Sequence, residues 1–294
     1  MKVKDSLGDR IFNGIIYVVI GLLVLIVLYP LWLVVINSLS DANAVSLGKV
    51  TILPVGFNLD AYAETFKYDN VISGYLNSLY YTVVGTAVSL LLTIPVAYTL
   101  SKQNLKGRGV LMAIFTFVMY FSGGLIPEYI MIRSLGLVNT RSVVILVGAL
   151  SVYNMIVARS FFESGVPHEL EEAAEIDGCS QLQTFLRIVL PLSKAMLGVI
   201  TLYYAVAKWN SFTPSLYYQP MAQEYHSLQM VLRDLIMRAQ NAVTMQGEDA
   251  VYYAELLNKI KYAVIVVASV PMLVIFPFVQ KYFDKGVMLG SVKG

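Results

Sequence analysis

The chain has 294 residues, of which 57% are hydrophobic and only 14% are charged, and its formal net charge is +2. Soluble domains carry roughly a quarter charged residues, so the composition excludes an ordinary soluble protein, and the small charge argues against nucleic-acid binding. The single cysteine, Cys179, excludes an internal disulfide.

Six long apolar runs alternate with polar links, and each run can cross about 30 Å of hydrocarbon. We predict spans at about residues 11–39, 75–100, 110–132, 142–162, 192–216 and 262–283. The first run shows no small-residue cleavage site, so we interpret it as a retained span rather than a signal peptide. The predicted fold class is all-α: one polytopic integral membrane domain over residues 1–294, with six transmembrane helices.

Lysine and arginine indicate the orientation of these spans. They are concentrated in the two termini and in the link 101–109. Six spans put both termini on one side, and the positive-inside rule makes that side the cytoplasm. Cationic residues in the connection 217–261, which we predict to be external, carry little weight because the rule has little force in long loops.

The link between the fourth and fifth spans, residues 168–191, is too acidic in its first half to lie in hydrocarbon. Pro167 suits the first turn of a helix, and the acidic residues after it favour the positive end of the helix dipole. Gly178 can end that helix in a left-handed conformation, and Ser180 with Gln183 forms a capping box for a second helix. We predict two short cytoplasmic helices joined by a glycine elbow.

This segment also contains a family signature. The order is Glu-Ala-Ala, three residues, Gly, nine residues, Ile, one residue and Leu-Pro, and it is met by Glu172, Ala173, Ala174, Gly178, Ile188, Leu190 and Pro191. The chain thus resembles the EAA permeases of ABC importers. Shorter stretches such as Lys208-Trp209-Asn210 resemble the second permease of the maltose- and oligosaccharide-type carbohydrate systems.

The resemblance implies a permease subunit of an ATP-driven ABC importer for oligosaccharides or related glycosides, supplying half of the translocation path in a bacterial cell membrane. Its implied partners are a second permease subunit, an ATPase dimer and an extracellular solute-binding protein. The residues implied to couple to the ATPase are Glu172, Ala173, Ala174, Asp177, Gly178, Ile188, Leu190 and Pro191. The resemblance also implies that the tail 285–294 reaches between the ATPase subunits, and a frayed terminus stays open as the alternative.

The chain itself is predicted not to be an enzyme. It lacks the Gly-Lys-Ser/Thr turn of a phosphate-binding loop, so no cofactor is expected on it, and ATP and Mg would be bound by the partner ATPase. No catalytic set is predicted. His168 and His226 have no carboxylate or cysteine at ligand spacing, so no metal site is predicted either.

Sugars bind to aromatic faces and hydrogen-bond to amides and hydroxyls, and several predicted spans contain such groups. The candidate substrate-path residues are Trp209, Asn210, Tyr204, Asn77, Tyr153 and Asn154. Aromatic belts and interhelical asparagine bonds are the alternative explanation. Gly123, Gly124 and Pro127 interrupt the third span, and we favour close helix packing over a gating break as the reason.

Three alternatives stay open at this point. The first is an ABC permease for a non-sugar solute such as a peptide or amino acid, which charged residues lining the spans would favour. The second is a self-sufficient secondary transporter or channel, which normally needs intramembrane ionisable residues or inverted repeats. The third treats residues 168–191 as an interfacial helix-turn-helix, although such helices prefer lysine and arginine.

Overall fold

The computed structural model describes residues 7–67, 69–242, 260–275 and 277, and these residues form helices without any β-strand. The α-helices are α1 Leu7–Ser38, α2 Ala42–Ser46, α3 Asp60–Lys67, α4 Asp69–Ser101, α5 Arg108–Tyr120, α6 Leu125–Ser134, α7 Arg141–Leu146, α8 Val152–Gly165, α9 His168–Ile176, α10 Gln181–Thr184, α11 Leu190–Leu192, α12 Lys194–Trp209, α13 Thr213–Tyr218, α14 Leu228–Ala242 and α15 Ile260–Ile275. A π-helical turn, Phe185–Val189, joins α10 to α11, and a 3₁₀ turn, Gln223–Tyr225, precedes α14. The predicted tail 285–294 lies outside the described residues.

The chain divides into two compact units. The amino-terminal unit contains the described residues of 1–68 and 232–269. In it, the Trp32 indole N–H donates to Ile52 O at 2.8 Å, and the hydroxyls of Ser38 and Tyr62 lie 2.7 Å apart. These bonds hold the segment after α1 against the end of α1. The remaining length of α1 exposes apolar side chains, as a membrane-spanning helix does.

The main unit contains the described residues of 69–231 and 270–294. Its central element is α4, which packs against α7, α8 and α12. The buried residues of its larger core are Ile94, Ala97, Leu100, Met155, Ala158, Phe162, Val166, Phe185, Val189, Met196, Ile200 and Tyr204. Helices α4, α8 and α12 and the π-helical turn therefore share one core.

Two described helices are long and apolar enough to cross a membrane, and they coincide with the first and second predicted spans. They are Gly8–Ser38 and Asn70–Ser101. Two pairs of shorter helices meet the same criterion but bend, by 114° between α5 and α6 and by 82° between 181–192 and α12. The described residues thus contain two spans, or up to four if each bent pair is one. The number six remains a prediction.

The interruption of the third predicted span is confirmed, and the close packing predicted as its reason is not seen at Gly124 among the described residues. Helix α5 ends at Tyr120 and α6 begins at Leu125. Gly124 adopts φ +88°, and a Cβ placed there would meet no atom within 4 Å among the described residues. The glycine therefore serves a left-handed backbone turn in open space rather than close helix packing.

The fourth predicted span is not one continuous helix. Helix α7 ends at Leu146, and Gly148 adopts φ +66° in the turn that follows. Ser151 then starts α8 by accepting a hydrogen bond from Asn154 N at 3.3 Å. The fifth predicted span, 192–216, is broken as well, because α12 ends at Trp209 and α13 begins at Thr213.

Candidate translocation cavity and coupling segment

A cavity of about 930 Å³ lies where these breaks come together in the main unit. Ser122 and Gly124 line it from the α5–α6 break, and Gly148 and Ser151 line it from the α7–α8 break. The end of α12 and helix α13 complete the wall. Non-helical backbone at membrane depth is tolerated where it lines a cavity or is buried in protein, and broken helices line substrate sites in many transporters.

The lining of this cavity is rich in phenol rings. Its tyrosines are Tyr153, Tyr203, Tyr204, Tyr217 and Tyr218. Tyr153, 59% exposed, presents much of its ring, whereas Tyr204 is buried. The amide of Asn154 and the hydroxyl of Ser211 add hydrogen-bonding groups to the wall. Aromatic faces beside neutral polar groups can bind an uncharged or weakly charged sugar.

Tyr204 fixes the geometry of the α7–α8 break. Its hydroxyl lies 2.6 Å from Thr93 Oγ1 on α4 and accepts a hydrogen bond from Ser151 N at 2.9 Å. The first backbone N–H groups of a helix have no partner within the helix. Tyr204 therefore joins α12 to α4 and holds the start of α8.

Lys208 holds the other side of the same break. Its ammonium donates to Val144 O at 3.0 Å, Ile145 O at 2.9 Å and Val147 O at 2.9 Å, carbonyls at the end of α7. The stem of Lys208 lies over Gly85 on α4, where a Cβ would come within 3.2 Å of it. A cation at a helix C-terminus is favoured by the carbonyls and the dipole, so Lys208 stabilises the broken fourth segment.

The coupling segment, residues 168–191, has the predicted helix-elbow-helix form. Helix α9 ends at Ile176, and Gly178 adopts φ +79°. The capping box is present: Ser180 Oγ accepts from Gln183 N at 3.3 Å, and Gln183 Oε1 accepts from Ser180 N at 2.9 Å. The second short helix, expected to end at Pro191, runs one residue further to Leu192, and the chain then bends at Ser193.

The two faces of the coupling segment differ. Ala174, Phe185 and Val189 are buried, and the two larger residues belong to the core shared with α4, α8 and α12. The exposed surface carries most of the predicted coupling residues and several apolar side chains, of which Ile176 is 86% exposed. Exposed coupling candidates are Glu172, Ala173, Asp177, Gly178 and Pro191, whereas Ile188 and Leu190 are half-buried.

Comparison with known proteins identifies the family. The profile described as "Binding-protein-dependent transport system inner membrane component" matches residues 70–289. The chain belongs to this family of transport permeases. It is 40% identical to protein LplC of Bacillus subtilis (strain 168), over 99% of this chain and 97% of the relative.

Two further similarities extend over almost the whole permease. It is 38% identical to the polygalacturonan/rhamnogalacturonan transport system permease protein YtcP of Bacillus subtilis (strain 168), over 97% of this chain and 99% of the relative. It also matches a chain of the crystal structure of a bacterial ABC transporter involved in the import of the acidic polysaccharide alginate. That match has a TM-score of 0.84 and 33% identity, over 96% of this chain and 100% of the other.

The permease brings some of the predicted path residues together and separates others. Tyr204, Tyr153 and Asn154 line the cavity. The Trp209 indole is 2% exposed and meets the Tyr75 ring edge-on at 5.7 Å. These positions support path roles for the first three, and the path role of Trp209 stays a prediction.

Two predicted amides hydrogen-bond to backbone. Asn77 donates to Glu224 O at 2.7 Å and to His226 O at 3.1 Å. Asn210 donates to Val206 O at 3.0 Å, one turn back in its own helix. Both lie outside the lining of the cavity. Their predicted contact with substrate therefore stays a prediction, and the geometry favours structural roles for both.

Two charged residues of the cavity were missed as site residues. Lys208 and Glu128 both lie in apolar runs and line the cavity, and an ionisable residue inside a span is a signal of function. Lys208 was noted only as part of a family stretch. Within the described part of the permease, no group of three or more His, Cys, Asp or Glu side chains is placed to hold a metal ion.

Proposed function

We propose that this permease is one of two membrane subunits of an ATP-driven importer for oligosaccharides or related glycosides. The observation that carries the proposal is the tyrosine-lined cavity at the meeting point of three broken helical segments. Phenol rings can stack on pyranose faces, and the neighbouring amide and hydroxyl groups can both donate and accept hydrogen bonds.

The charges in the cavity do not favour a peptide or amino-acid substrate. The Lys208 ammonium donates its three N–H groups to backbone carbonyls. The Glu128 carboxylate interacts with the hydroxyl of Tyr218. Binding an amino acid requires groups that pair with both an ammonium and a carboxylate. Relatives of the permease support carbohydrate as well, since three of them are transport permeases for galacturonan polymers, galactooligosaccharides and arabinooligosaccharides.

The same family membership supports the topology and the partners. We propose six spans with both termini in the cytoplasm, a single permease domain over residues 1–294, and uptake by alternating access between the two permease subunits. The partners would be a second permease, an ATPase dimer that binds ATP and Mg, and an extracellular solute-binding protein. The exposed face of the coupling segment, with Glu172, Asp177 and Gly178, would dock into the ATPase.

Uptake by the reconstituted complex tests this proposal. The permease is assembled in proteoliposomes with its second permease, its ATPase and its solute-binding protein. Uptake of labelled neutral and acidic oligosaccharides is measured against di- and tripeptides. We expect ATP-dependent uptake of at least one oligosaccharide and none of the peptides.

The controls separate the alternatives. An ATPase unable to hydrolyse ATP should abolish uptake, and vesicles with this permease alone should take up nothing. Uptake restricted to peptides would favour the non-sugar permease. ATP-independent uptake by the single chain would favour a secondary transporter or channel and overturn the proposal.

A further inference from the structure

The coupling segment is tied by side chains to the end of α4, a helix from which it is far removed in sequence. Glu171, which precedes the EAA signature, forms an ion pair with Lys102, just beyond the last residue of α4. It also accepts a hydrogen bond from the Tyr98 hydroxyl at 3.2 Å. The Lys102 ammonium lies 4.3 Å from the centroid of the Tyr98 ring.

Aromatic packing strengthens the same connection. The Tyr98 ring lies between two phenylalanines, with centroids 4.7 Å from Phe185 in the coupling segment and 5.6 Å from Phe162 on α8. Such pairs contribute beyond the area they bury. Both short helices of the segment are therefore fastened to α4: α9 through Glu171, and α10 through the π-helical turn that follows it.

The covalent connection from the coupling segment to α12 is less direct than these side-chain contacts with α4. The chain from 181–192 enters α12 through a bend of 82°, with a π-helical turn just before it. By contrast, α4 is helical throughout Asp69–Ser101, with Pro95 inside its last two turns. Because this helix has no break like the 82° bend before α12, we expect displacement of the segment to reach α4 first.

The opposite end of α4 holds the segment that leads into α14. Tyr81 donates to Tyr225 O at 2.7 Å, and Ser78 Oγ accepts from Leu228 N at 2.8 Å. Asn77 adds its two bonds to the same stretch. These contacts attach residues 224–228 to one end of α4, while the coupling segment is attached to the other.

The middle of α4 is only weakly hydrogen-bonded to its neighbours. Thr82, Thr86 and Ser89 lie along this part of the helix and are buried. Their hydroxyls have no hydrogen-bond partner within the described residues. Displacement of α4 would therefore break no side-chain hydrogen bond at these three positions.

We infer that Glu171 is the positioning residue that couples the ATPase-facing segment to α4, and through α4 to residues 224–228 at its other end. This inference rests on the proposed function. It assigns the first transmission step to the Glu171–Lys102 pair rather than to the chain continuity into α12. The EAA residues dock on the ATPase, and Glu171 passes their displacement on.

A double-mutant cycle tests the inference. Glu171→Gln, Lys102→Met and the double variant are reconstituted with all partners, and oligosaccharide imported per ATP hydrolysed is measured. We expect each single change to lower this ratio about fivefold, and the double variant to lower it by the same factor, because both remove one connection. A charge exchange is avoided, since it would place both charges against the helix dipoles.

Lys106→Met is the matched control, because Lys106 is an exposed lysine in the same link and should leave the ratio unchanged. Unchanged ratios in the single variants, or losses that multiply in the double variant, would overturn the inference. A structural role alone would lower the yield of complex without altering the ratio, and would overturn it too. Failure of the wild-type complex to import any oligosaccharide would instead count against the proposed function.

Discussion

At Gly178, the backbone conformation rather than lack of space limits which residues the position accepts. Its φ of +79° is left-handed, and a Cβ there would meet nothing within 4 Å among the described residues. A side chain would therefore fit within this chain, and its cost is conformational, about 1–2 kcal/mol for most residues. Asparagine tolerates this region, whereas β-branched residues do not.

We predict that Gly178→Val uncouples the transporter and Gly178→Asn leaves most of its activity. Oligosaccharide uptake and the amount of ATPase retained on the purified permease are measured for both variants. Valine should lower both quantities several-fold. Equal losses with valine and asparagine would contradict the backbone argument, because the ATPase surface would then be excluding any side chain.

The aromatic and amide residues of α12 and α8 give a second prediction at this scale. Because Trp209 is buried against Tyr75, Trp209→Ala should cost about 3–5 kcal/mol of stability and lower the yield of assembled complex. Tyr153→Ala should keep the yield and shift the preference among competing sugars, since its ring faces the cavity. If Trp209→Ala instead changed the sugar preference at a normal yield of complex, Trp209 would contact the substrate and the structural explanation would be wrong.

At the scale of the element, the sequence predicts only in part which spans are continuous helices and which are broken. The apolar runs predict α1 and α4, and the capping signals Ser180 and Gln183 predict the start of α10. Gly123, Gly124 and Pro127 predict the break in the third span, but the break around Gly148 could not be placed from the sequence, because a lone glycine in an apolar run looks the same in a turn and in a packed helix. The compensating donor, Lys208, lies more than 60 residues away from the α7 carbonyls it satisfies.

The aromatic content of the site was easier to predict than its arrangement. Tyr153, Asn154 and Tyr204 were expected in the path and line the cavity. Composition alone cannot tell which side of α12 faces that cavity, so Trp209 and Asn210 were ranked above their neighbour Lys208. The geometry of the breaks decides this orientation, and it depends on contacts between segments far apart in sequence.

We predict that Lys208→Met destabilises the broken fourth segment by about 3 kcal/mol, because α7 carbonyls lose a charged donor in a buried setting. Lys194→Met, at the exposed start of the same helix, is the control and should have little effect. Thermal inactivation of the solubilised complex is compared for both. Equal stability of the two variants would show that water replaces the ammonium at the α7 end.

At the scale of the whole molecule, chemical labelling of the single cysteine can test both the membrane topology and the docking of the ATPase. Cys179 is the chain's only cysteine and has a free, half-buried thiol next to the glycine elbow. If the coupling segment is cytoplasmic, a membrane-impermeant maleimide should label this permease in inverted vesicles and not in right-side-out ones. Met221, which is 88% exposed, lies in the connection predicted to be external, so Cys179→Ser with Met221→Cys should give the reverse pattern.

The same label tests what covers the segment. Ile176, three residues before Cys179, exposes 86% of its surface, and an apolar side chain so exposed beside acidic residues suits a protein partner better than water. Adding the ATPase to inverted vesicles should therefore slow labelling of Cys179 by about tenfold, about 1.4 kcal/mol of protection. In matched vesicles that carry a Cys179→Ser, Lys106→Cys variant, the ATPase should change labelling of the introduced thiol little. Labelling of Cys179 from the outside would contradict the orientation, and equal rates with and without ATPase would show that the docking surface lies elsewhere on the permease.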